Sequence, residues 1–501
     1  MYGARVSRLL FLFFAAPAFA QPLVLEGDLP TTGPDFVLVP FTVPAGTVEL
    51  EVRHPVQQSE NILDYGLSDP ERVRGWGGGN VEPIVISERA ASRSYLAGPL
   101  QPGLWNVVIG KAKVVTSPAR YRLEIDLRTT TTLAVETDRA STSWQPGPAL
   151  ESTARWYAGD LHVHSRESGD AAPTLDAIAT FARGRGLDFV ELSDHNTLSQ
   201  LRFMQAAQAR HAQLLFVPGM EFTTYAGHAN AIGATQPIDH RFGIGAATFD
   251  TAVDAVEAQG ALLSINHPVL DLGMLCIGCA WRQKLPATRI GAVEIGTGGW
   301  DKTGILFGAQ AIAFWDRQLA QGSHAAPVGG SDDHSGGKGT GTFDSPIGNP
   351  TTMVFANELS VPALLKALRE GRTVVKLQGP ADPMVDLQAG SARIGDTVSG
   401  NTTLTATVTG GVGAQLKLLE GGVVRETVDV AADPFVFTKS VTAPAQGETR
   451  WRAEVWLSDA PRTVTGHVWL KPAEPMKPGC GCSSADGSVL LLALLSLRRR
   501  R

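Results

Sequence analysis

The sequence is poor in cysteine, in charge and in long apolar runs. Only 4 cysteines occur in 501 residues, which excludes a small fold stapled by many disulfides. Charged residues make up 18% of the chain and the formal net charge is −6, spread along its length. No basic field offers itself to a phosphate backbone, so no nucleic-acid polymer is expected as a partner. No apolar run reaches the roughly 20 residues of a membrane-spanning helix. Heptads and helix-pair or propeller repeats are absent, and no GxSxG elbow marks a serine hydrolase.

What is present describes a folded, turn-rich, multidomain protein. Hydrophobic residues reach 43%, and 54 glycines with 31 prolines favour a large β fraction. The length predicts two to four domains, at roughly 100 to 200 residues each.

Both ends read as sorting segments. Residues 1–20 place Arg5 and Arg8 before an apolar run and end in Ala18, Phe19 and Ala20. This is the pattern of a secretory signal peptide, and the apolar run of about a dozen residues is short for an anchor. Residues 473–501 contain Cys480-Gly-Cys482, the apolar stretch Val489 to Leu497 and four terminal arginines. This end resembles the MYXO-CTERM class of sorting tails. The resemblance implies processing by sorting machinery at the membrane and an exported protein, either at the cell surface or outer membrane or secreted. The other two cysteines, Cys276 and Cys279 in LCIGCAW, favour one local disulfide over zinc or redox use. Zinc would need a second pair, and redox use a helix start alongside.

Between the ends the rhythm changes twice. Residues 21–150 alternate with period two between Pro and Gly turns, which predicts a β-sandwich. Residues 151–380 alternate apolar strands with amphipathic helices, which predicts an α/β domain with a parallel sheet, of a length that suits a barrel. Residues 381–472 return to short alternating strands, such as LTATVTG and RWRAEVWLS, spaced like an Ig-type sandwich.

The chemistry is concentrated in the middle segment. Nine of the 11 histidines fall between His162 and His334, many beside Asp, Glu or Asn in apolar strand contexts where a lone charged group is costly. A divalent cation satisfies such a set, because imidazoles and carboxylates are its ligands. In a strand His162 and His164 share one face and can grip one ion. Taken singly each motif is weak, since an INHP turn is more often a plain turn.

Their order is specific. DLHVHSRESGD, LSDHN, PGMEF, GH, NHP and GSDDH follow one another as in the PHP (polymerase and histidinol phosphatase) superfamily, and the chain resembles its exported CehA/McbA-type metallohydrolases. The resemblance implies an α/β fold with a PHP-type distorted (β/α)7 barrel flanked by N- and C-terminal β-sandwich domains. It implies two or three divalent ions (Mn, Zn or Fe). His162, His164, Asp332 and a bridging Glu221 would hold the first, and Glu221, His228 and His267 the second. Asp170, His195 and His334 would hold a third, which family members do not all retain. Asp194 would support the ligands or cap a turn, while His211, His240 and His324 match nothing and read as surface residues.

The expected function is hydrolysis of a small-molecule phosphoester by a metal-bound hydroxide, with no other catalytic group assigned. The alternative is a carboxylester or carbamate hydrolase on the same site. A third reading is a surface-displayed binding protein with an inactive barrel, which loss of ligand positions would have favoured. The segment SGGKGTGTF offers Lys338 as a contact to an anionic substrate, or is a mobile surface loop. Glu294 and Trp300 line the pocket or merely cap the barrel.

Overall fold

The computed structural model describes residues 21–137, 144–273, 276–298, 304–340 and 344–474. The signal segment, Trp300 and the tail from residue 475 lie outside the described residues. Among the described residues no helix is long and apolar enough to cross a membrane.

Two four-stranded antiparallel sheets form the N-terminal unit. One joins Leu23–Leu29, Ala119–Arg128, Glu49–Arg53 and Ile84–Ser87. The other joins Phe36–Val43, Gly103–Lys113, Ile62–Ser68 and Val73–Gly78. Period-two alternation turns Val39, Phe41 and Val43 inward to meet Leu50, Val52, Trp105, Leu123 and Ile125 in a common core.

The middle of the chain is mixed α/β. Its strands divide between two sheets. Phe189–Leu192 lies between Arg155–Val163 and Leu215–Pro218, parallel to both. In the second sheet Leu262–Ile265, Ala292–Thr297 and Ala326–Gly330 run parallel, preceded by the antiparallel hairpin Glu221–Thr224 and Gly227–Ile232. The sheets touch at two seams marked by isolated bridges, Val163 with Asp333 and His195 with Glu221. At these seams the Asp332 amide donates to the His162 carbonyl at 2.9 Å and the Asn196 amide to the Glu221 carbonyl at 2.9 Å.

The described residues do not show a (β/α)7 barrel as one continuous sheet; they show two sheets joined at these seams, the second opening with a hairpin. The two residues Tyr225 and Ala226 between the hairpin strands can only reverse the chain, since a parallel pair needs a crossover of about a dozen residues. Five helices are present among the described residues: α1 (Leu175–Gly184), α2 (Leu201–Arg210), α3 (Phe249–Ala258), α4 (Gly304–Ala320) and α5 (Val361–Arg369). Their starts are written locally. Thr174 accepts from the Ala177 amide, Thr248 and Thr251 form a reciprocal cap, and Ser360 caps α5 ahead of Pro362. Leu175, Ile178, Ala179 and Ala182 form the buried stripe of α1.

The first sheet does not stop at residue 380. Thr373–Lys376 pairs antiparallel with Ala460–Thr465, carrying the sheet into the C-terminal strands to make 11 in all. A second, four-stranded sheet covers it (Ala392–Arg393, Met384–Ala389, Thr402–Thr409, Phe435–Val441), and Leu387, Leu404, Leu416, Leu418 and Val455 fill the space between.

Candidate metal centre

The two seams bring the charged motifs to one place. His162 and His164 come from the end of Arg155–Val163 and the residue after it, and Asp332 and His334 follow Ala326–Gly330. Strand pleating puts both histidines on one side, with ring centroids 5.1 Å apart. Close approach of the two strands depends on Gly330, where a methyl group would collide with the His162 Cβ. Asp332 and His267 are held at φ of 55° and 26°, a left-handed conformation that costs non-glycine residues energy and recurs at functional sites.

Glu221 is the hub. Its fully buried carboxylate lies 3.5 Å from His162 Nε2, 3.7 Å from His164 Nε2, 2.6 Å from His195 Nδ1, 3.2 Å from His228 Nδ1 and 3.3 Å from His267 Nε2. Asp332 Oδ1 lies 3.2 Å from His162 Nε2 and 3.0 Å from His164 Nε2. Asp170 Oδ2 lies 3.3 Å from His195 Nε2 and 3.5 Å from His334 Nε2. All nine residues singled out in the sequence therefore converge on one centre.

Charge alternates through this cluster. Burial opposes ionisation of Glu221, but His195, His162 and His228 hold its carboxyl well below the usual range. Burial likewise opposes protonation of His162, and Asp332, Glu221 and Glu294 outweigh it, raising the imidazole well above its ordinary value. His164 goes the other way, down to about 3, because burial acts together with the neighbouring His334 and His195. His334, beside Asp170, rises to about 9 in spite of its burial.

The donor set fits divalent cations by a separate observation. His162 Nε2, His164 Nδ1, Glu221 Oε2 and His228 Nε2 are buried with no hydrogen-bond partner among the described residues. Such atoms are costly unless something else engages them. Three-residue groups with ligand atoms within 4.8 Å of one another include His162, His164 and Asp332; His162, Glu221 and His267; and His164, His195 and His334.

Several supporting residues carried little or no signal in the sequence. Glu294 Oε2 sits 3.0 Å from His162 Nδ1, so it lies behind the cluster. The Asn266 amide donates to Glu221 Oε1 at 3.0 Å and to Asn230 Oδ1 at 2.7 Å, while Asn230 donates to the Leu161 carbonyl at 2.7 Å. Glu294 was singled out in the sequence without a role, and a neutral Asn beside a histidine looks like any turn residue. Asp194 accepts from the Ser165 amide at 2.7 Å and hydroxyl at 2.8 Å, so it caps the loop after His164.

Other expectations fall elsewhere. Lys338 is exposed and is not among the residues lining the cavity, because Asp333 accepts from the Ser335 and Gly337 amides and folds that loop on itself. His240, read as a surface residue, is buried against Phe36 and Trp76; Asp239 and Arg241 pair with each other and leave the imidazole to pack with the aromatics. His211 and His324 pair with Asp176 and Glu448 away from the centre. Cys276 and Cys279 form a disulfide, with Cα atoms 5.6 Å apart. Cys279 Sγ lies 4.0 Å from His228 Nδ1.

The cluster opens into a cavity of about 670 Å3 whose apolar side includes Ile62, Trp76, Leu270, Leu272, Ile277 and Phe307. No Lys or Arg is among the described residues that line it.

No family profile and no curated protein matches the chain. Among solved structures, it is similar to a two-domain protein containing a predicted PHP-like metal-dependent phosphoesterase from Bacteroides vulgatus, at 19% identity and a TM-score of 0.36, over 66% of this chain and 99% of that one. A putative metal-dependent phosphoesterase from Bifidobacterium adolescentis aligns at 14% identity and a TM-score of 0.26, over 38% and 91% of the two chains. An amidohydrolase from Chromobacterium violaceum aligns at 16% and 0.25, over 37% and 93%.

Proposed function

We propose that the protein is an exported, multinuclear metal-dependent hydrolase of the PHP type, in its CehA/McbA branch, acting on phosphoesters. The observation that carries this reading is the convergence of nine histidine and carboxylate side chains, Glu221 at their hub, with four buried ligand atoms lacking hydrogen-bond partners among the described residues. His162, His164, Asp332 and Glu221 would hold one ion; Glu221, His228 and His267 a second; Asp170, His195 and His334 a third. When bound, such ions activate water, polarise the ester oxygen and offset charge that develops during attack.

The chain's own residues prepare the site. Glu294 on His162 Nδ1 fixes the tautomer that turns Nε2 toward the cluster, and Asn266 sets the rotamer of Glu221. Leu270, Leu272, Ile277 and Phe307 keep one side of the cavity apolar and hold the non-reacting part of a substrate.

A second reading, hydrolysis of a carboxylester or carbamate, is favoured by the same apolar wall and by the lack of Lys or Arg among the described lining residues. Metal content and turnover of the purified protein on 4-nitrophenyl phosphate and 4-nitrophenyl acetate separate the two. Copurifying metal with faster phosphate-ester turnover, both lost in Glu221→Ala, supports the phosphoesterase. Faster acetate turnover moves the assignment to the acyl reading. Absence of metal together with an unaffected Glu221→Ala variant would leave a binding protein.

A further inference from the structure

Part of the cavity wall comes from the N-terminal sandwich. Strands Ile62–Ser68 and Val73–Gly78 and the turn after them place Ile62, Asp64, Trp76 and Asn80 on the same cavity as His195, Glu221 and His267. The sandwich is clamped to the loop that carries Asp170. The Ser94 hydroxyl donates to the Glu167 carbonyl at 2.7 Å and Arg93 to the Ala171 carbonyl at 2.9 Å. A methyl at Gly169 would collide with the Gly77 carbonyl oxygen.

Asp64 is the charged group of this wall. Tyr225, itself on the hairpin turn of the catalytic domain, donates its hydroxyl to Asp64 Oδ2 at 2.7 Å. No Lys or Arg is among the described residues that line the cavity around it. Burial raises the Asp64 carboxyl to about 6, in spite of the Tyr225 bond and the nearby His195. A half-buried carboxylate facing the cavity favours a partner of opposite sign there.

We propose that Asp64, Tyr225, Trp76 and Ile62 form a subsite for a cationic, ammonium-bearing substituent of the ester whose anionic end sits at the His and carboxylate cluster. The subsite rests on the hydrolase reading and names its substrate class: esters that carry a negative and a positive end. Asp64 supplies the counter-charge, and the aromatic and aliphatic side chains accommodate the methyl or methylene groups around the nitrogen. An anionic substituent would meet Asp64 with no lining Lys or Arg beside it, so the same wall disfavours esters negative at both ends.

The test compares two esters of the same shape, 4-nitrophenyl phosphorylcholine and the uncharged-tail 4-nitrophenyl 3,3-dimethylbutyl phosphate, with 4-nitrophenyl phosphate as a third substrate. The full chain is expected to favour the cationic ester by about tenfold in kcat/KM, the scale of one desolvated cation contact. Asp64→Asn should bring that ratio close to one. Each ratio is taken within one preparation, so a partly misfolded variant does not distort it. Equal rates in the unaltered protein, or a ratio unchanged in Asp64→Asn, overturn the subsite and leave the Asp64 to Tyr225 bond as a tether between domains. Turnover of 4-nitrophenyl phosphate alone also overturns the subsite while the hydrolase stands; turnover of none of the three removes both.

Discussion

Glu294 Oε2 and His162 Nδ1 lie 3.0 Å apart, both side chains buried, on neighbouring parts of the two sheets. Thr297 Oγ1 donates to the other Glu294 oxygen, so the carboxylate is fixed before it meets the imidazole. A carboxylate behind a ligating histidine raises the basicity of its far nitrogen and holds the ring in place. Glu294→Gln is therefore expected to weaken metal affinity by about 10 to 100-fold while leaving turnover largely recoverable at saturating metal. Competition titration against a chelator, followed by assay in excess Mn or Zn, checks both halves.

Gly330 is expected to tolerate no side chain. Gly330→Ala forces a methyl group against the His162 Cβ and must move a strand that carries a cluster residue. A loss of about 1 to 3 kcal/mol in urea unfolding should accompany a larger fall in metal content. An unaltered metal-to-protein ratio would show that the strands have room that the geometry denies.

His240 governs part of the acid stability. Burial holds its imidazole down at about 3, against an ordinary value of 6.5, so the folded state favours the neutral ring. Its contribution is fully present above about 6.5 and is lost as the pH falls from there toward 3. His240→Leu keeps an apolar group against Phe36 and Trp76 and removes the proton acceptor. Between pH 7 and pH 5 the variant should lose on the order of 1 to 2 kcal/mol less stability than the parent, read from urea midpoints at the two values.

Export is checked by removing residues 477–501. Cell-surface protein should then appear in the medium with its hydrolytic activity intact. Retention equal to that of the full chain would refute the sorting role assigned to that tail.

Much of the centre was legible because its residues obey short-range rules. His162 and His164 are two apart in a strand, and each further motif sits where a predicted strand ends. The helices follow similar local rules, with caps at Thr174 and Ser360 and a buried stripe such as that of α1. Lys338 misled because a glycine-rich loop with a cation is compatible with an anion site in sequence, while the actual loop closes on Asp333 and leaves the amine exposed. His240 misled because it matches no motif, yet Asp239 and Arg241 pair with each other and leave its ring packed against aromatics.

By itself the sequence determined the ligand types, their spacing within each motif and the period-two and helical patterns, since these depend on groups a few residues apart. Only the tertiary structure decided that the strands divide into two sheets meeting at seams. It also decided that Glu294 stands behind His162 and that Asp64 reaches Tyr225 across 161 positions. Contacts of that range arise from how whole sheets pack, and no local pattern of residues encodes them.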